Sequence, residues 1–407
     1  MKKLVVLLIS LTLVFSCFSM VGCTPRSEQL KLYVPGEYID SDVLDEFEEW
    51  YRNETGNKVK VKVNTFDAVE EIFTAVERAQ ADYDLLCPSD YAVERLIKKG
   101  LLLEVDKEHV DVEKVIHPTY IERAQISDPT LAYSVPYMYG TFGIMYNRKE
   151  IGEEINSWEA IFTDKYGAGI SANKDSLREA ITSAAIYANR DKLAQLSDNF
   201  DDYNLEYHAA LQNIYSDFSA TAIDRAMDVL KKMKGYHNEC WGGESLKFDM
   251  ATNKGKIKIA LMWSCDAGYI MNDYEDDNGI KHSGNKDMWY VVPKEGGNIY
   301  LDNFVISKYA KNVDAAQYFL EFICQKDVAM ANSQYAGAIS PVKAAYQQLL
   351  NDYTYQFEMN PDADEEWVAM YMDMLFPSNE TLARCGTMID FGDSDAEITK
   401  KWVDIKK

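Results

Sequence analysis

The sequence is short of histidine, a residue on which much catalysis and metal binding draws. Its five histidines, His109, His117, His208, His237 and His282, are scattered among polar neighbours. It has no Gly-x-Ser-x-Gly elbow, no His-x-x-x-His pair and no Gly-x-x-x-x-Gly-Lys-Ser phosphate loop. The chain therefore lacks the common signatures of hydrolases, zinc peptidases and nucleotide-binding proteins, and neither an enzyme nor a bound cofactor or metal is expected. Cys-x-x-Cys is absent too. Past residue 23 the cysteines are Cys87, Cys240, Cys265, Cys324 and Cys385, an odd number at wide spacings that supports no dense disulfide framework. Positive charge is scarce, with 42 Lys and Arg against 66 Asp and Glu and a net charge of −24. A surface that acidic repels nucleic acid and anionic substrates and draws in cations.

What is present begins with a leader. Lys2-Lys3 precede an apolar run from Leu4 to Phe15, too short to span a membrane comfortably, as in an export signal over residues 1–22. Met20-Val-Gly-Cys23 resembles the lipobox of bacterial lipoproteins, with Met20 where that pattern prefers Leu. Cys23 is then the expected lipidation site, residues 23–29 a tether, and the location the outer face of the cell membrane or the periplasm. Cys17 is a weaker candidate because bulky Phe15 lies two residues before it; an ordinary secretory signal with an incidental cysteine is the alternative.

From Leu30 the chain alternates strands and helices. Leu30 to Val34 reads as a strand, and Ser41 opens a helix with Val43, Leu44, Phe47, Trp50 and Tyr51 on one face, ended by Gly56. Lys58 to Val63 alternates with period two as a half-dry strand does. Phe66 to Ala79 is a second helix, Asp84 to Pro88 a third strand, and Tyr91 to Lys99 a third helix closed by Gly100. This rhythm predicts a parallel sheet covered on both faces, with ligand chemistry at the carboxyl ends of its strands. Val34-Pro-Gly-Glu-Tyr38 and Pro88-Ser-Asp-Tyr91 lie at two such ends.

Tyr133 to Asn147 is an extended Tyr/Gly-rich run suited to crossing between domains. Trp158 to Phe162, Asp175 to Ala188 and Ala222 to Lys234 read as helices. Residues 190–218, acidic and weakly periodic, read as a solvated excursion. Lys256 to Trp263 is a strand running into Ser264-Cys-Asp-Ala-Gly-Tyr269. Trp263 there is either core or a floor for an amine, because cations are attracted to indole faces. Tyr290 to Val292 ends a buried strand at Pro293, Gly296-Gly297 turns the backbone, and Tyr300 and Asp302 follow within an apolar run. A charge in such a run costs several kcal/mol, roughly, unless a cation meets it. Asp302 either caps a local turn or meets a cationic ligand.

Several segments together carry a resemblance: Glu37-Tyr38, Asp82-Tyr-Asp-Leu-Leu-Cys-Pro-Ser-Asp-Tyr91, Tyr133-Ser-Val-Pro-Tyr137 with Gly140 and Asn147, Asp175-Ser-Leu-Arg-Glu179, Met262-Trp-Ser-Cys-Asp-Ala267 and Pro293 to Asp302. In this order the chain, nearly end to end past its leader, resembles the spermidine/putrescine-binding receptors of polyamine ABC transporters. The resemblance implies a two-lobed α/β fold of the periplasmic-binding-protein type (type II). Each lobe would be a mostly parallel sheet flanked by helices, joined by hinge crossovers, with residues 30–143 and 302–345 in one lobe and 144–301 and 346–407 in the other. It also implies a monomer that closes on a polyamine and docks on permease subunits. Glu37, Tyr38, Ser89 and Tyr91 would line one lobe, Glu179, Trp263, Ser264 and Tyr300 the other, with Asp302 near the crossover; Ser176 and Asp266 complete the candidate set.

The sequence departs from that family at four places. Pro35-Gly36 replaces Trp-Thr, Ser176 stands where some members have a second Asp, Ala338 replaces a ligand-facing Tyr, and Met388 lies near a polar or aromatic position. Asp175 could restore the missing acid by a one-residue shift. Two other readings stay open: a receptor for Fe(III) through Tyr137 and Tyr139, or for a thiamine-like or quaternary cation, and a secreted glycan-cleaving enzyme using Glu37 and Asp302 as its carboxylate pair.

Overall fold

The computed structural model describes residues 24–197, 205–237, 240–243, 245–252, 255–275 and 280–407. The leader, Cys23 and the acidic stretch 198–204 lie outside the described residues.

Strand β1 (Gln29–Pro35) buries Leu30, Leu32 and Val34 on one face. Helix α1 (Ser41–Thr55) starts where Asp40 accepts the Asp42 amide, buries Val43, Phe47 and Tyr51 at every fourth position, and stops at left-handed Gly56. β2 (Lys60–Phe66) pairs in parallel with β1 as far as Pro35 and Phe66. That pairing overrides the helix expected from Phe66. Helical structure begins only after Glu71 has capped the Asp67 and Ala68 amides; it runs from Glu70 to Phe73 and then loosens into a π-helical turn, Thr74–Arg78. β3 (Leu85–Leu86) and helix α2 (Asp90–Lys98) complete this wing.

β4 (Ser134–Asn147) is buried at every residue. Beyond it come β5 (Ser171–Lys174), helix α3 (Leu177–Ala188), β6 (Trp241–Gly242), helix α4 (Leu246–Ala251), β7 (Ile259–Trp263), helix α5 (Ser264–Met271) and β8 (Gly297–Ser307). Among the described residues these eight strands form the main path, β2-β1-β3-β8-β4-β7-β5-β6, of one mixed 11-stranded sheet; Met288–Val291 pairs beside β4, and Leu102–Leu103 and Cys385–Gly386 beside β8. β1, β2 and β3 are parallel at one wing, and β5, β6 and β7 at the other. Between the wings β8 runs antiparallel to β4, from Asn298 opposite Phe142 to Val305 opposite Ser134, with a bulge between Asp302 and Asn303. The fold is α/β and two-lobed, with one apolar cluster on each face of the sheet. Leu32, Tyr137, Met262 and Leu301 belong to one cluster, Tyr33, Phe142, Leu261 and Val305 to the other.

The described part of 190–218 corrects an expectation. Helices Arg190–Ser197 and Leu205–Ser216 pack inward, burying Leu193, Tyr207, Leu211 and Tyr215. Tyr207, Leu211 and Tyr215 repeat every fourth residue and so make an apolar stripe, which the acidic composition around it obscures. The Tyr215 hydroxyl donates to the Gly297 carbonyl at 2.6 Å, tying this helix to the start of β8. His237 is likewise buried rather than solvated, with Nδ1 accepting from the Gly169 amide and Nε2 donating to the Thr163 carbonyl.

Candidate ligand-binding site

The bulge in β8 sets Asp302 beside the loops that follow β1 and β3. Its Oδ2 accepts from the Tyr38 hydroxyl at 2.6 Å and its Oδ1 from the Ser89 hydroxyl at 2.5 Å. The residue is only 8 % exposed, and no Lys or Arg among the described residues pairs with it. Burial pushes its carboxyl above the ordinary value, and the two hydroxyls offset that only in part. Asp302 is therefore a shielded carboxylate held by neutral donors, and its charge lacks a counter-ion among the described residues. Tyr38 is fixed in turn by Tyr137, which donates to the Tyr38 carbonyl at 2.9 Å and meets its ring edge-on.

Tyr300 points to the same region. Its hydroxyl donates to the Cys265 sulfur at 3.2 Å, and burial pushes that thiol up to about 12, so it stays a neutral acceptor. Ser264 Oγ accepts the Thr141 amide at 3.0 Å across the β4–β7 boundary. The turn feeding β8 needs Gly296, at φ +109°, and is pinned by Trp158 Nε1 donating to its carbonyl at 2.7 Å.

Trp263 and Asp266 are brought together, but with cations of the chain itself. Lys174, at the carboxyl end of β5, sets its ammonium 3.9 Å from the centre of the Trp263 ring and donates to Asp266 Oδ2 at 3.1 Å. Lys247 on α4 donates to Asp266 Oδ1 at 2.8 Å and lies 3.9 Å from Glu37. Burial opposes ionisation of Asp266, yet the charges of Lys174 and Lys247 overcome it and hold the carboxyl below its ordinary range. Glu37 itself is exposed and adopts a left-handed φ of 53°, which a non-glycine residue occupies only under local constraint.

Tyr91 also faces an internal cation: the Arg178 guanidinium carbon lies 3.6 Å from its ring centre and 4.0 Å from that of Phe391, while Arg178 donates to Glu70 and to the Ile389 carbonyl. Ser176 donates to Glu179, whose carboxyl burial pushes upward. Asp175 does not replace the missing acid by a one-residue shift, because its carboxylate is bound by Lys406. Sequence reasoning missed Lys174, Lys247, Arg178 and Asp90. Asp90 is buried at the first position of α2; its Oδ1 accepts the Tyr91 amide, and its Oδ2 has no hydrogen-bond partner among the described residues. Burial first, and the charge of Asp302 further, push Asp90 up to about 8.

The hydroxyls proposed for ferric iron are otherwise engaged. Tyr137 donates to the Tyr38 carbonyl and Tyr139 to that of Leu375, and burial pushes both phenols well above their usual value, away from the phenolate a ferric site needs. Among the described residues no group of His, Cys, Asp and Glu is arranged to hold a metal ion.

Residues 42–365 match the family described as bacterial extracellular solute-binding protein. The chain belongs to that family. Relatives of this solute-binding protein include the putrescine/agmatine-binding protein of Pseudomonas aeruginosa, 23 % identical over 83 % of this chain and 84 % of the relative. Another is the putrescine-binding periplasmic protein PotF of Escherichia coli, 25 % identical over 79 % and 80 %. Its fold matches the spermidine/putrescine ABC transporter substrate-binding protein PotD of Streptococcus pneumoniae with a TM-score of 0.66, at 23 % identity, over 93 % of this chain and 99 % of that one. No helix among the described residues of the solute-binding protein is long and apolar enough to cross a membrane.

Proposed function

We propose that this solute-binding protein captures an alkylamine of the polyamine type, with spermidine and putrescine as reference ligands, and delivers it to the permease of an ABC importer without catalysing a reaction. The observation that carries this reading is Asp302: a shielded carboxylate met by Tyr38 and Ser89 hydroxyls and by no cation among the described residues. An ammonium group supplies the missing charge, and away from bulk water that charge-assisted hydrogen bond is strong. Tyr38 and Tyr300 give the methylenes an aromatic wall. The names of the relatives point to the same ligands.

The lobes in this reading are residues 30–143 with 302–345 and 144–301 with 346–407. Supporting the division, the bridge between Ile116 and Val342 ties the later segment of the first lobe to the earlier one. For the second lobe, Trp402 meets Trp241 at 4.7 Å between ring centres. Closure about β4 and β8 would present a new surface to the permease. The protein would act as a monomer at the outer face of the membrane, tethered by lipid on Cys23.

Calorimetric titration of the purified protein with putrescine and spermidine tests the reading. Binding of either amine, weakened about 30-fold or more by Asp302→Asn as expected for losing one partner of a buried charge pair, supports it. No binding at millimolar concentration overturns it.

A further inference from the structure

We infer that this receptor selects a primary amine with a single ammonium group and an uncharged far end, such as a mono-N-acylated diamine, over the free diamine. This rests on the amine-receptor reading and narrows its ligand class. The argument comes from the contrast between two carboxylates. Among the described residues Asp302 has hydroxyl donors only. Asp266, 5 % exposed, has a lysine on each oxygen, Lys247 on Oδ1 at 2.8 Å and Lys174 on Oδ2 at 3.1 Å. The Lys174 ammonium also covers a face of Trp263 at 3.9 Å. Asp266 and the indole face of Trp263, two groups a second ammonium would seek, are thus already satisfied from within the chain, and the charge of Lys174 also acts on the Glu179 carboxyl.

A ligand ammonium arriving there would meet two like charges at close range. In a shielded site that repulsion outweighs what is gained by displacing a lysine already bonded to both partners. The lysines are themselves anchored by strand β5 and helix α4, so the chain has bound them without the entropy cost that a free ligand would bear. A far end that is neutral avoids the repulsion. A single ammonium at Asp302 completes the one carboxylate in this contrast left without a cation. Lys174 and Lys247 are therefore specificity determinants, standing in for the second ammonium of a diamine.

Titration of the unmodified protein with putrescine and with N-acetylputrescine decides the matter without any variant. The expected result is an N-acetylputrescine Kd below that of putrescine. The double substitution Lys174→Met, Lys247→Met should then move the ratio of the two affinities tenfold or more toward putrescine. Equal or tighter binding of putrescine by the unmodified protein overturns the inference and leaves the amine-receptor reading intact. Failure of both amines to bind at millimolar concentration removes both.

Discussion

Gly140 lies where a β-carbon would come within 2.3 Å of the Tyr300 hydroxyl oxygen. The same atom would meet Ser264 Oγ at 2.6 Å. Tyr300 is buried and held to Cys265, so it cannot swing aside freely. Gly140→Ala is expected to cost about 1–3 kcal/mol of stability through overpacking. It should also weaken ligand binding at 15 °C, well below the variant's melting temperature, because the displaced ring is the one flanking Asp302. Thermal melts paired with titration at that temperature check both effects.

Asp302→Asn should have opposite consequences for the empty and the loaded protein. The empty protein loses a buried carboxylate that meets no cation among the described residues and is expected to melt no lower than the parent, since an unpaired buried charge is itself costly. The rise in melting temperature on adding amine should vanish. If Asp302 merely capped a local turn, the variant would melt lower and still respond to ligand.

Asp90 and Asp302 both have carboxyls raised by burial, Asp90 up to about 8. A carboxyl raised in the fold binds its proton more tightly there than in the unfolded chain. Its stabilising contribution is full below the ordinary carboxylate pKa and is lost as pH rises through the folded value. For Asp90 that window runs from about 4 to about 8, with a limiting slope of about 1.4 kcal/mol per pH unit. Asp90→Asn should flatten this decline, gaining on the parent at pH 8.5 relative to pH 5. Chemical denaturation at the two pH values measures the difference.

Leu211→Ala should destabilise the protein by about 2–4 kcal/mol, the usual cost of emptying a fully buried leucine site. A change under about 0.5 kcal/mol, typical of a surface position, would mean that Leu205–Ser216 does not pack as described. Urea unfolding of the variant reads the outcome.

If Cys23 carries the lipid, Cys23→Ser should move the protein from the membrane fraction to the soluble fraction of the cell envelope. Metabolic labelling with a tagged fatty acid should be lost in parallel.

What the sequence made legible was local. The helix from Ser41 to Thr55 could be read because its cap, its four-residue stripe and its terminal Gly56 all sit within it. Asp302 could be singled out because a carboxylate among Ile299, Leu301, Phe304 and Val305 needs an explanation on chemical grounds alone. Lys174 and Lys247 could not. Their common partner Asp266 lies 92 and 19 residues away, and an isolated lysine carries no sign of whether it faces water or an indole. The helix expected from Phe66 starts later, at Glu70, for a related reason, because the residues that prolong β2 are in β1. Propensity speaks for a segment; pairing depends on what arrives beside it.

The antiparallel pairing of β4 with β8 joins Met138 to Asp302 and leaves β8 between β3 and β4. No shorter N-terminal piece of this chain can close its own sheet: until residues near 300 have been made, β3 and β4 lack the strand that belongs between them. Contacts so distant in sequence form slowly. If the leader over residues 1–22 directs the unfolded chain through an export channel, this order of assembly acts as a timing device. The sheet then cannot be completed across its middle until the last quarter of the chain has begun to follow.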